Sequence, residues 1–262
     1  MLPLLLLFQS SVLDNWRAEI EKLDHSRVLV MRVTEDMPPP ADPAARSVIT
    51  QVFQTPGFTV QFALAEAMSV TNGKYHFILI NPLLTPEKNY DAVLAHELGH
   101  LWLKAQGYPA LVFQGGDAGC LIVNAGDVVQ HVLIRAELDR RNIEWRDHWL
   151  ENLKKTTEFL QQNGASQPRA PICQRLGQLA LWVDVKVGLE SNGWKGFTEF
   201  ESAMSKSFPE LRQPTEDLAV YLAKIDLTNK SVHRQALTFV FTRMKSAGLE
   251  IDRKTNETKT PQ

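Results

Sequence analysis

Residues 75–107 read YHFILINPLLTPEKNYDAVLAHELGHLWLKAQG. Tyr75 to Ile80 is an apolar, β-branched and aromatic run of strand length. Thr85-Pro86-Glu87 is a helix start, with Thr85 as cap and Pro86 at the first helical position, where a missing N–H costs nothing. The helix is expected to run to about Gln106, with Gly107 beyond its end. It carries His96 and His100 between the apolar flanks Val93-Leu94-Ala95 and Leu101-Trp102-Leu103. Positions i and i+4 are ~40° apart on a helical wheel, so both imidazoles leave the same face.

Toward the N-terminus, Val12, Trp16, Ile20 and Leu23 recur at helical spacing within Ser11 to Leu23. Val28 to Val33 reads as a strand, Pro38-Pro39-Pro40 as a loop, and Ala44 to Phe53 as a second helix. Phe58 to Leu64 is a further strand candidate, separated from the Tyr75 strand by the turn chemistry of Asn72-Gly73. Toward the C-terminus, Gly107, Gly115, Gly116, Gly119 and Gly126 suggest an exposed loop. No Lys-Ser/Thr pair follows these glycines, which argues against a phosphate loop. Asn124 is read as the cap of a strong helix over 125–141, and helical segments follow near 145–162, 172–190, 197–206, 215–223 and 231–247. Strands confined to the first third define an α+β chain. Gly164-Ala165-Ser166-Gln167-Pro168 marks a boundary between a motif-bearing region, 1–165, and a mostly helical region, 166–251. Residues 252–262 are polar and aperiodic, the pattern of a flexible tail.

Lys and Arg total 28 against 30 for Asp and Glu, with no long single-sign block, so the basic footprint of a nucleic-acid binder is missing. No apolar run reaches about 18 residues, which excludes a transmembrane segment. Met1 to Phe8 resembles the core of a short signal peptide, and segment 1–11 is signal-like to that extent. No Lys or Arg precedes that run and no A-x-A site follows it, so a buried N-terminal element is the other reading. Export and a cytoplasmic location both stay open. Cys120 and Cys173 fit one disulfide or two buried thiols, and their spacing matches no zinc or redox motif. Oligomeric state has no signature in the sequence.

The chemistry lies in His96-Glu97-Leu98-Gly99-His100. Two imidazoles one helical turn apart suit a single Zn²⁺, and Glu97, one position on, can reach a water at the metal as general base. A catalytic zinc needs a third protein ligand and one open position. The next strong helix offers Asp127, His131, Glu137 and Asp139. His131 is the preferred third ligand. Asp127, four residues earlier on the same face, would ligate itself or hold an imidazole N–H. Glu137 is less favoured, because Arg140 and Arg141 at i+3 and i+4 mark a salt-bridging face.

This motif after an apolar strand resembles the active-site helix of zincin metallopeptidases, in particular the compact bacterial and phage proteins of the ImmA/IrrE type. The likeness covers roughly residues 58 to 142. It implies a zincin-like domain with a small mixed sheet, and a zinc-dependent hydrolase acting on a peptide or protein substrate. It further implies His96 and His100 as ligands and Glu97 as base. Leu103 and Gln106 stand where a metzincin would carry its Gly and third His, so that branch is rejected. The competing function is a zinc-binding regulatory or interaction protein that keeps the fold without general proteolysis. Tyr108 and His148 are further candidates as oxyanion donors, His76 as part of a peptide-binding strand, and Arg135 as a countercharge to Asp127. Trp145 and Trp149 read as packing anchors.

Overall fold

The computed structural model describes residues 2–34, 36–55, 57–63, 65–111, 119–164, 171–189 and 193–257. The chain is α+β: ten α-helices and one three-stranded sheet among the described residues. It divides into two compact units that do not follow one another along the sequence. The first comprises Met1–Gly107 with Glu137–His148, and the second Tyr108–Ala136 with Trp149–Gln262. Residues 165–170, where the sequence suggests a boundary, lie outside the described residues.

In the first unit, α1 (Leu2–Asp24), β1 (Arg27–Arg32), α2 (Pro43–Gln54) and α3 (Phe58–Ala63) precede the hairpin β2 (Ala67–Asn72) and β3 (Tyr75–Ile80). A 3-10 turn, Glu87–Asn89, then leads into α4 (Tyr90–Ala105). The sheet order is β1-β3-β2, with β1 parallel and β2 antiparallel to β3. All six residues of β3 are buried, as expected for a central strand covered on both faces. Tyr75, Phe77 and Leu79 pack with Ala45, Ile49 and Val52 of α2 and with Phe58 and Phe62 of α3. Helix α4 packs on the sheet and against α1. On the hairpin, Gly73 takes a positive φ of 57° at the first of two loop positions while Lys74 does not, the pattern of a type II′ turn.

Several sequence expectations change here. Phe58 to Ala63 is helical rather than a strand, and the antiparallel partner of β3 is Ala67–Asn72. Short apolar runs do not distinguish strand from helix by periodicity. Packing decides this one: Phe58 and Phe62, four apart, stack with ring centroids 6.2 Å apart on the side that joins the core. Thr85 is not a helix cap, because its hydroxyl donates to the Glu66 carbonyl at 2.9 Å. The Met1–Phe8 run falls within α1 from Leu2 onward, Met1 itself lying outside the described residues.

The second unit holds most of α5 (Gly119–Arg140) and α6 (Arg146–Asn163), then α7 (Ile172–Gly188), α8 (Phe197–Ser207), α9 (Arg212–Leu222) and α10 (Lys230–Glu257). Helix α7 is central to it: Leu176, Leu179, Trp182, Val183 and Val185 are buried, and α9 and α10 both pack against it. Helix α10 continues through Glu257, so residues 252–257 are helical, and the rest of the expected tail lies outside the described residues. Gly119 and Gly126 belong to α5 rather than to a loop, while Gly115 and Gly116 lie outside the described residues. Asn124 is not a cap but a residue inside α5, its amide donating to the Cys120 carbonyl one turn back at 2.6 Å.

Helices α5 and α7 are joined by a disulfide between Cys120 and Cys173, a separation of 53 residues. The same offset recurs down the pair. Asn124 lies against Gly177, His131 bonds Asp184, and Arg135 lies against Gly188. A constant offset means that the two helices run parallel in fixed register. Recurrence every eleven residues (Cys120 to His131, Cys173 to Asp184) is close to three full turns, which keeps each set of contacts on one face. Among the described residues no helix is long and apolar enough to cross a membrane.

Candidate metal centre

Helix α4 presents His96 and His100 half-buried, while Glu97, Leu98 and Gly99 between them are buried. The two Nε2 atoms are 3.2 Å apart and the rings are close to perpendicular, at 81°. Two nitrogens bound tetrahedrally to one zinc at ~2.0–2.1 Å would be ~3.3 Å apart, so this spacing matches the bite of a single ion. Glu97 is 8% exposed, on the residue next to the first imidazole.

His131 is held within the second unit. Its Nδ1 lies 3.1 Å from Asp184 Oδ2, and the other oxygen of that carboxylate accepts from Arg135 Nη1 at 2.5 Å. An ionised carboxylate only accepts, so the proton of a neutral His131 sits on Nδ1, which makes Nε2 the nitrogen able to coordinate. Burial opposes protonation of His131, but the Asp184 charge outweighs it and raises the ring above the usual histidine range. Burial likewise penalises the Asp184 carboxylate, and the opposing charges of Arg135 and His131 nevertheless hold it below the usual range. The Trp149 and His131 rings meet nearly at right angles, centroids 5.6 Å apart. Arg135 fits because Gly188 has no side chain: a Cβ there would stand 2.5 Å from the Arg135 guanidinium carbon.

Among the described residues, His96, His100 and His131 make up a group that could hold a metal ion. Imidazole nitrogens are donors that zinc accepts, so the residue types of this group fit that ion. Asp127 is not in that group and acts on His131 only through its charge. The carboxylate that holds an imidazole N–H is Asp184 instead, and Arg135 pairs with Asp184 rather than with Asp127. Glu137 is buried in ion pairs with Arg140 and Arg141 at 2.5 and 2.6 Å, as the salt-bridging pattern implied. Burial alone would raise its carboxyl, but the two guanidiniums outweigh that and lower it.

The other candidates have partners of their own. Tyr108 donates to the Thr228 carbonyl at 3.1 Å, and His148 bonds Glu66 at 3.0 Å. His76 lies on β3, which is flanked by strands on both sides and so cannot accept a peptide strand. It is buried between Asp24 (2.6 Å from Nε2) and Thr71 (2.8 Å from Nδ1), and burial is the main reason its pKa is lowered. Trp145 is a fully buried anchor whose indole donates to Asp139 at 2.8 Å.

Asp184 escaped the sequence reading, though one signal was available. It is the single acidic residue in the apolar run Leu179-Ala180-Leu181-Trp182-Val183-Asp184-Val185, and a lone acid in such a setting must find a charged or donating partner. No protein-family model, curated protein or solved structure matches this chain.

Proposed function

We propose that this chain is a zinc-dependent peptidase with a zincin-like active-site helix, holding zinc through His96, His100 and His131. The observation that carries the reading is the pair of imidazole nitrogens 3.2 Å apart on the HExxH turn of α4, with His131 in the same candidate metal-holding group. Bound there, zinc would supply a Lewis acid that polarises a carbonyl and lowers the pKa of a water to ~7. Glu97 accepts the proton of the attacking water and passes it to the departing amine nitrogen, so that one carboxylate serves as base and then as acid. The substrate class is a peptide or protein. A purely structural zinc would have no use for Glu97, which favours the enzyme over a binding module.

The test is Glu97→Gln. Zinc content by elemental analysis should stay near one per chain while hydrolysis of a mixed peptide library falls by roughly 10²–10⁴-fold. Parent protein that purifies without zinc, takes up none, and cleaves nothing would overturn the proposal.

A further inference from the structure

We infer that Asp184, itself fixed by Arg135, is a positioning residue for His131. It places the proton of the neutral ring on Nδ1 and fixes the ring, so that Nε2 is the nitrogen a metal would take. This inference rests on the reading of His131 as a zinc ligand.

The arrangement is built rather than incidental. Asp184 is 5% exposed and placed in the most apolar stretch of α7, where a lone carboxylate is costly unless paired. Both of its oxygens are used, Oδ2 by His131 and Oδ1 by Arg135. Arg135 stands one turn along α5 from His131 and is 7% exposed, its guanidinium lying over Gly188. The carboxylate is therefore gripped from one side and grips the imidazole on the other. Trp149 meets the ring nearly at right angles, with centroids 5.6 Å apart, which limits rotation about the bond to the imidazole. The fixed register of α5 and α7, locked at one end by the Cys120–Cys173 bond, sets Asp184 opposite His131. A carboxylate on the remote nitrogen of a metal-ligating imidazole selects the tautomer and raises the basicity of the ligating nitrogen. Losing such a partner typically weakens metal binding 10–100-fold.

The experiment compares the parent, Asp184→Asn, the double variant Arg135→Gln/Asp184→Asn and His131→Ala, each as the full chain. Zn²⁺ affinity is read by competition with a chromogenic chelator. The His131 tautomer is read in zinc-free protein from long-range ¹H–¹⁵N correlations of the imidazole. The double variant replaces a buried ion pair with a neutral pair of similar shape, so it keeps the test alive if Asp184→Asn alone fails to fold. The expected result is zinc bound by the parent, at least a hundredfold weaker binding in His131→Ala, and 10–100-fold weaker binding in the Asp184 variants. The Nδ1–H signature should be lost or mixed in those Asp184 variants. Affinity within twofold of the parent, with the tautomer retained, would overturn the role of Asp184 while leaving the zinc site intact. Unaltered zinc binding in His131→Ala would instead overturn the ligand assignment, and with it the inference.

Discussion

Reduction of the Cys120–Cys173 bond is the perturbation whose cost follows most directly from the structure. The bond closes a loop with a sequence separation of 53 residues. The chain-entropy relation puts the lost constraint on the unfolded state at about 4 kcal/mol for a loop of that size. The effect on the metal centre should be much smaller. His131 and Asp184 each lie eleven residues beyond their cysteine, ~16 Å along a helix at 1.5 Å per residue, and the Arg135–Asp184 pair anchors that end independently. Reduction is therefore expected to lower the free energy of unfolding of the second unit by roughly 3–4 kcal/mol, and to weaken zinc binding less than tenfold. The assay is denaturant unfolding of the oxidised parent, the reduced parent and Cys120→Ser/Cys173→Ser, with hydrogen exchange resolved to peptides from α5 and α7. Exchange should accelerate most in the first turns of both helices. A loss below 1 kcal/mol, or faster exchange confined to other helices, would refute the view that this crosslink sets the register of the pair.

Three further outcomes are expected. His100→Ala should abolish stoichiometric zinc binding with little change in thermal stability of the zinc-free protein, since the ring is only half-buried; calorimetry with and without zinc checks this, and full retention of zinc would contradict the ligand set. Arg141→Ala should cost about 3 kcal/mol in the first unit, because it strips a partner from buried Glu137 and removes the cation lying 4.5 Å over the Trp16 ring; urea midpoints read it, and a change under 1 kcal/mol would contradict it. His76 is neutral in the fold because burial lowers its pKa, whereas the unfolded ring titrates near 6.5. The unfolded state thus takes up the extra proton as the pH falls below about 6.5, so stability falls with acidification there and this contribution is flat above it. His76→Gln should flatten the decline between about pH 6.5 and 5, and an unchanged slope would remove His76 as its source.

Much of this architecture was legible because some segments leave a single physical solution. Tyr75–Ile80 is too short for a stable helix in that setting, and the run Phe77–Ile80, apolar on both faces, belongs at the centre of a sheet. Helix α4 was legible from its apolar flanks, and the two histidines from their spacing. Ala67–Asn72 was hidden because only Met68 and Val70 of this edge strand pack on the core, too short an alternation to stand out. Phe58–Ala63 was misread because a pair of phenylalanines four apart suits a helix only if a core lies beneath, and that core is formed by α2 and β3, outside the segment itself. His131 emerged through its pairing with a motif far upstream, whereas Asp184 depends on the 53-residue register of α5 and α7. No local pattern encodes that register, and Cys120 with Cys173 hints at it only if the two are taken as bonded.

The mixed pairing of the sheet also governs how the protein is made. Strand β3 meets β2 across a two-residue turn, a contact that can close within microseconds, whereas Arg27 of β1 waits for Tyr75. At a synthesis rate of ~5–20 residues per second, β1 spends several seconds outside the ribosome before its partner strand exists. Throughout that interval Val28, Leu29 and Val30 offer an unsatisfied edge to any neighbouring nascent chain. Crowded polysomes are therefore where this fold is most exposed to mispairing, and a chaperone that shields the Arg27–Arg32 segment would be most useful there.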